Sequence, residues 1–121
     1  DAVNGCYFSD HYAPDDPNPR VQAFVKKFQQ KYDGETPDAM AVLGYDAANI
    51  LFAAIERAGS TDGPKIRDAL AQTKDFPGVT GDITIDKDRN DQKPGVMLEI
   101  ENGKLKMVAR VGESAATTTA P

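Results

Sequence analysis

The spacing of apolar and polar residues divides the chain into a short strand, three helices and a β-rich final third. Residues 2–9 are rich in β-forming residues and predict a strand, which the proline-rich stretch 10–17 ends. A helix is then indicated from Pro19 to Gly34, with Asn18 as its N-cap. Its apolar residues recur every three or four positions, and they are Val21, Phe24, Val25, Phe28 and Tyr32.

The most hydrophobic segment predicts a second helix that is capped by Asp38 and stopped by Gly59. It is apolar over more than half of its circumference, so we expect it to be buried between neighbours. Its longest apolar stretch, Met40 to Ile55, is shorter than the roughly 20 residues that span a bilayer. A core helix is therefore predicted. Pro64 starts a third, shorter helix, which the sequence "DFPGVTG" stops.

The last third predicts strands. "GDITID" at residues 81–86 alternates, and Asn102-Gly103 is a strong signal for a hairpin with a type I′ turn. Such a turn places oppositely charged residues across from each other on one face and apolar residues on the other. The predicted pairs are Glu101 with Lys104, Ile100 with Leu105, Glu99 with Lys106, and Leu98 with Met107.

Composition narrows the class of protein without naming a function. The chain has 121 residues, of which 40% are apolar and 27% charged, as expected for one globular domain or part of one. Acidic residues outnumber basic ones by 19 to 14, and Lys26-Lys27 is the largest basic cluster, so no nucleic-acid partner is predicted. Cys6 is the sole cysteine, which excludes an intrachain disulfide.

Catalytic and metal-binding patterns are weak. A hydrolase could use His11 with Asp10 or Asp15, but no nucleophile motif accompanies them, and a solvated loop histidine is the favoured interpretation. Residues 86–91, "DKDRND", begin like a calcium loop, yet the glycine and the bidentate glutamate of such a loop are missing. We expect a turn whose aspartates cap their own backbone. No metal, no cofactor and no enzymatic activity are predicted.

Several segments in the same order resemble the branched-chain amino-acid-type periplasmic binding proteins of ABC importers. The resemblance rests on "KYDGETPD", "GYDAANIL…AIERAGSTD", "KIRDALAQTKDFPGVTG" and "ITIDKDRND" followed by a strand pair, and it covers nearly all of residues 3–111. It implies an α/β fold, namely the C-terminal part of a type I periplasmic binding protein with two lobes. Each lobe is a parallel sheet flanked by helices, and a C-terminal hairpin is added.

The resemblance also implies how the chain divides between the lobes. Residues 1–17 correspond to the last strand of the second lobe and a crossing segment, and 18–85 to helices and strand of the first lobe. Residues 86–111 correspond to the last crossing and the hairpin of the second lobe, and 112–121 are predicted to be a flexible tail. The chain opens at Asp1 without a signal-peptide pattern, so we expect a processing boundary there. The family implies a periplasmic or extracellular location, with a lipid anchor in Gram-positive bacteria.

The predicted function is that of a solute-binding protein, or a piece of one, that presents an amino acid or similar small polar ligand to an ABC permease. Two alternatives remain open: the same fold as a ligand-sensing receptor or regulator domain, and an isolated fragment that binds no ligand. A fragment would expose the apolar faces of helices 19–33 and 39–58, so we expect self-association, possibly with exchanged segments.

Two ligand-site candidates follow from the resemblance, which places most ligand contacts upstream of this chain. Met40 corresponds to a position that forms a wall of the ligand cleft, where family members often carry an aromatic residue; filling the core is the alternative role. Tyr12, in the first crossing, is a candidate for the rim of the cleft or for packing at the hinge.

The pair Tyr45-Asp46 places an ionisable residue in the most apolar helix. Adjacent residues lie about 100° apart around a helix, so the two side chains do not share a face. Asp46 aligns with Val42, Asn49 and Ala53. A buried carboxylate there requires partners, and we expect backbone amides of a loop or a tyrosine hydroxyl. A structural role is predicted for the pair.

Overall fold

The computed structural model describes residues 2–112, which form an α/β arrangement of three helices and six strands, and this confirms the predicted class. In chain order the elements are β1 (Tyr7–Asp10), α1 (Pro19–Lys31), α2 (Ala39–Ala58), α3 (Gly63–Ala71), β2 (Phe76–Gly78), β3 (Gly81–Ile85), β4 (Asp91–Gln92), β5 (Gly95–Glu101) and β6 (Lys104–Val111). The predicted tail lies outside the described residues, except for Gly112.

The first sheet has the order β1-β5-β6, and both of its pairings are antiparallel. All four predicted pairs of the β5–β6 hairpin are confirmed. Asn102 and Gly103 have φ values of 51° and 75°, the double positive φ that a type I′ turn requires. Turn chemistry and cross-strand pairing therefore agree on one register.

The second sheet has the order β2-β3-β4 and is also antiparallel. The segment that was predicted only to stop the third helix also forms a strand, in which Phe76 pairs with Ile83 and Gly78 with Gly81. Pro77 reads as a breaker in the sequence, but a proline is tolerated on an edge strand such as β2. The strand predicted at 2–9 is shorter than expected and starts at Tyr7.

Helix caps are confirmed in detail. Asn18 Oδ1 accepts a 2.9 Å hydrogen bond from the amide of Arg20, and Asp38 Oδ1 accepts one of 2.8 Å from Ala41. Gly59 ends α2 in the left-handed conformation, with φ of 57°. These side-chain and glycine caps satisfy backbone groups that the helix itself cannot pair.

Helix α2 departs from prediction in two ways. It has 20 residues with a mean hydropathy of 1.3, and it is the one helix within residues 2–112 that is long and apolar enough to cross a membrane. The prediction that its apolar stretch is too short to span a bilayer is therefore wrong. One stripe of the helix, Val42, Asp46, Ile50 and Ala54, is buried against the rest of the fold. The predicted burial between neighbours is only partial within the described residues, where Phe52 is 64% exposed.

Two small cores meet at one connecting segment. The first contains Tyr12, Val21, Val25, Val42 and Val79. The second contains Ala13, Val96 and Leu98, with Met107 packed against it. Because Tyr12 and Ala13 are consecutive, residues 10–17, here called the first connection, join both cores. Residues 86–95, the second connection, return the chain from the second sheet to the first.

Candidate functional site

The two candidate ligand residues lie near the start of α2. Met40 is 68% exposed there, two residues after the cap Asp38, so it does not fill a core within the described chain. Its role as a wall of a ligand cleft stays a prediction. An exposed methionine offers an adaptable apolar contact.

Tyr12 is 5% exposed and packs in the first core. Its hydroxyl donates a 2.9 Å hydrogen bond to the carbonyl of Pro37, immediately before the α2 cap. Burial, with the nearby charges of Asp10, Asp38 and Asp15 also contributing, raises the pKa of Tyr12 to about 12. This placement agrees with the packing alternative for Tyr12, and the hydroxyl fixes the entry to the helix that carries Met40.

Asp46 is the buried polar centre of α2. It is 3% exposed, and its Oδ1 accepts a 2.8 Å hydrogen bond from the amide of Val79. Its Oδ2 accepts from the amide of Thr80 at 2.9 Å and from the Thr80 hydroxyl at 2.8 Å. The expectation of loop amides as partners is confirmed. One carboxylate thus fixes residues 78–81, here called the 78–81 turn, which joins β2 to β3.

The 78–81 turn is tightly fitted around this carboxylate. A Cβ atom on Gly78 would lie 2.7 Å from Ile83 Cδ1 and 2.9 Å from Asp46 Oδ2, so only glycine fits there without rearrangement. From the other side, Arg20 Nη1 donates to the Gly78 carbonyl at 3.2 Å and to Asp82 Oδ1 at 2.8 Å. Sequence reasoning missed Arg20, because its partners lie about sixty residues away along the chain.

The first connection is also fixed to the first sheet. Asp15 accepts hydrogen bonds from the amide of Met107 at 3.2 and 3.0 Å. Asp16 is buried and forms an ion pair with Arg110 of β6, and its Oδ1 also accepts a 2.8 Å bond from the amide of Asn18. Only a weak signal for this is present in the sequence, namely the run "PDDP", which also fits an ordinary solvated loop.

His11 does not form the arrangement that a hydrolase requires. Its Nδ1 lies 3.2 Å from Lys93 Nζ of the second connection. Asp10 accepts from the backbone amide of His11 at 2.6 Å, and Asp15 is engaged with Met107. Burial lowers the pKa of Lys93, although Asp91, Asp46 and Asp10 act in the opposite direction. The contact therefore joins the two connections and shows no activated nucleophile.

The 86–91 loop is a turn that caps itself, as predicted. Asp86 Oδ1 accepts from the amides of Asp88 at 2.8 Å and Asn90 at 2.9 Å. These hydrogen bonds, that of Asn90 first, lower the pKa of Asp86. Within residues 2–112 no group of three histidine, cysteine, aspartate or glutamate side chains is placed to hold a metal ion.

An open, largely apolar groove of about 1200 Å³ runs between α1 and α2. Aromatic rings dominate its walls: Phe24 lies 4.8 Å from Tyr45 and 6.0 Å from Phe28, and Phe28 lies 4.4 Å from Tyr32, measured between ring centroids. The rings of Phe24, Phe28 and Tyr32 thus follow one another along α1, and Phe76, Pro77 and Val79 of the β2 region also line the groove. We call this surface the α1–α2 groove.

Comparison with known proteins defines the class. The arrangement of helices, connections and C-terminal hairpin is that of solute-binding proteins with the type I periplasmic binding fold. The sequence profile of the periplasmic binding protein family matches residues 1–104, so the chain belongs to this family. The resemblance inferred from the sequence is confirmed.

Curated relatives and solved structures agree. Leu/Ile/Val-binding protein homolog 1 of Brucella suis is 33% identical over 87 residues, covering 71% of this chain and 23% of the relative. Its counterpart in Brucella abortus is 31% identical over 105 residues, covering 85% and 27%. The chain therefore spans about a quarter of the length of these relatives.

Three solved structures show the same fold. The leucine-binding protein LivK of Thermotoga maritima is 38% identical with a TM-score of 0.83, covering 93% of this chain and 32% of that one. LivJ of Streptococcus pneumoniae, in complex with isoleucine, is 33% identical with a TM-score of 0.75, covering 87% and 29%. A solute-binding protein of R. palustris, in complex with benzoate, is 27% identical with a TM-score of 0.80, covering 97% and 32%. These family members are solute-binding proteins rather than enzymes.

Proposed function

We propose that the chain is the C-terminal part of the solute-binding component of an ABC importer, located in the periplasm or outside the cell. The observation that carries the proposal is the family match over residues 1–104, together with the TM-score of 0.83 to a leucine-binding protein. The partners are a small ligand and the membrane permease that receives it. Two lobes form in the longer protein, to which residues 1–17, 18–85 and 86–111 contribute in turn.

The ligand class is a small molecule with a carboxylate, and an amino acid with an aliphatic side chain is the first choice. One similar structure is that of a leucine-binding protein, and two others are in complex with isoleucine and benzoate; all three compounds carry a carboxylate beside an apolar body. Exposed Met40 supports the aliphatic choice, because a methionine adapts to the shape of an apolar side chain.

The mechanism is closure of the lobes on the ligand. Contacts that are made only in the closed form shift the population toward it by their differential free energy. The two connections are the segments of this chain that would bend. Both are short. The first leaves the first sheet after β1 and the second enters it before β5, and they do so at the same end of the sheet because Asp10 of β1 pairs with Val96 of β5.

Calorimetric titration with leucine, isoleucine, valine and benzoate tests the proposal on the full-length protein and on residues 1–121 alone. We expect the full-length protein to bind at least one of them, and the isolated chain to bind none, because it spans about a third of the structures it resembles. Absence of binding to the full-length protein for every compound would overturn the ligand class.

The role of Met40 is tested in the same titration. Met40→Ala in the full-length protein is expected to weaken binding by about 1–2 kcal/mol through loss of apolar contact. Leu51→Ala is the matched control, since Leu51 lies on the same helix and is also exposed, at 40%. Equal affinity of the Met40→Ala variant and the unmodified protein would remove Met40 from the site.

A further inference from the structure

Both connections rest on the same short turn. In the first connection, Tyr12 belongs to the same buried core as Val79. In the second, the ring of Pro94 lies against Gly81, where an added Cβ atom would be 2.9 Å from Pro94 Cγ and 3.0 Å from Pro94 Cδ. Val79 and Gly81 belong to the 78–81 turn. Two segments separated by about eighty residues in sequence thus share one support.

The 78–81 turn is held mainly by the side chain of Asp46. Asp46 accepts three hydrogen bonds from Val79 and Thr80, and both of these residues are buried. A buried carboxylate bonded to three donors is costly to disturb, since each unpaired donor loses its desolvation energy in full. Asp46 itself touches neither connection through any of these three bonds. Through these bonds Asp46 reaches the connections only by way of the turn, although its charge also acts directly on Lys93 of the second connection.

We propose that Asp46 is a positioning residue for the two connections, acting through the 78–81 turn that supports Tyr12 on one side and Pro94 on the other. Naming the connections as the hinge between lobes rests on the proposed function. The coupling of both connections to Asp46 does not, because it follows from contacts within residues 2–112.

Segment-resolved hydrogen–deuterium exchange on residues 1–121 tests the proposal. In Asp46→Asn, an amide group faces the amide and hydroxyl donors of Thr80, so the turn loses its anchor. We expect exchange in residues 10–17 and 86–95 to become faster by about tenfold, while the β5–β6 hairpin around Asn102 exchanges as before. A purely local or purely global effect of Asp46 would not produce that pattern.

Milder variants keep the test decisive if Asp46→Asn does not fold. Thr80→Val removes one hydroxyl donor at nearly constant shape, and we expect the same two segments to respond, by a few-fold. Thr80→Ser keeps the hydroxyl and is expected to behave like the unmodified chain. Asp75→Asn is the matched control, since Asp75 is exposed immediately before β2 and its positive φ of 48° suits asparagine.

Two outcomes would overturn the proposal. In one, exchange rises only in α2 and residues 76–83, which makes Asp46 a local anchor. In the other, exchange rises equally everywhere, including the hairpin, which makes it a general stabiliser. Neither outcome depends on ligand binding, so the proposed function can fail in calorimetry while this coupling stands, and the reverse also holds.

Discussion

The hydroxyl of Tyr12 lies 2.9 Å from the carbonyl oxygen of Pro37, to which it donates a hydrogen bond across 25 residues of sequence. The bond is buried, and it links the first connection to the residue before the cap of α2. The start of α2 carries Met40, the exposed candidate for a ligand contact. Tyr12 therefore fixes the entry to the helix that carries Met40.

We expect Tyr12→Phe to lower the free energy of unfolding by about 1 kcal/mol, because the Pro37 carbonyl loses its buried donor while the ring remains packed. Urea denaturation followed by circular dichroism measures the change. Tyr32→Phe is the matched control, since the Tyr32 ring is 45% exposed. Equal losses in both variants would contradict the buried bond.

Alkaline pH gives a second consequence of the buried phenol. The pKa of Tyr12 is raised from 10.0 to about 12 in the folded chain, so the unfolded chain releases this proton at lower pH. The contribution of Tyr12 to stability is complete below pH 10 and is lost as the pH rises toward 12. We expect the pH dependence of unfolding in this window to be shallower in Tyr12→Phe. If stability falls equally with pH in the variant and the unmodified chain, the raised pKa of Tyr12 is refuted.

Gly78→Ala and Gly44→Ala test the fit of the 78–81 turn. The first adds a Cβ atom within 3.0 Å of Ile83, Asp46 and the Gly81 carbonyl, and we expect a loss of about 1–3 kcal/mol. The second adds one where nothing lies within 4 Å, inside α2, so stability should rise by about 0.5–1 kcal/mol. Thermal unfolding compares the two, and a stable Gly78→Ala variant would show that the turn is loose.

Local signals in the sequence predicted the elements that local chemistry decides. Asn18, Asp38 and Gly59 cap helices by bonds to their immediate neighbours, and Asn102-Gly103 sets its hairpin through two adjacent φ angles. The strand β2 could not be predicted in this way. Its sequence, "FPG", has little intrinsic strand preference, and it becomes a strand only because β3 lies beside it.

The candidate site shows the same difference between features that neighbouring residues decide and features that distant residues decide. Burial of Asp46 and the kind of partner it needs could be inferred, since an unpaired carboxylate is costly inside an apolar helix face. Which loop supplies the amides could not, because Thr80 lies 34 residues away. Similarly, Asp16 and Arg110 each resemble solvated residues in the sequence, and only the fold brings them together as a buried pair.

This buried ion pair should matter more than an exposed one. We expect Asp16→Asn to destabilise the chain by about 3 kcal/mol, because it weakens a desolvated contact with Arg110 and alters the bond to the Asn18 amide. Glu101→Gln removes the exposed 3.0 Å pair with Lys106 and should cost at most about 1 kcal/mol. Chemical denaturation of both variants measures the difference in the free energy of unfolding. Similar losses would contradict the greater contribution of the buried Asp16–Arg110 pair.

The α1–α2 groove makes a prediction about association. Phe52, 64% exposed, lies on its wall with Tyr45 at 48%, and apolar surfaces of this kind favour contact with another copy of the chain. We expect sedimentation velocity to show association that grows with concentration. Phe52→Ser should reduce it, while Leu105→Ser, at 44% exposure on β6, should not. A cooperative, well-folded monomer at all concentrations would rule out self-association, and an equal effect of both variants would assign it to another surface.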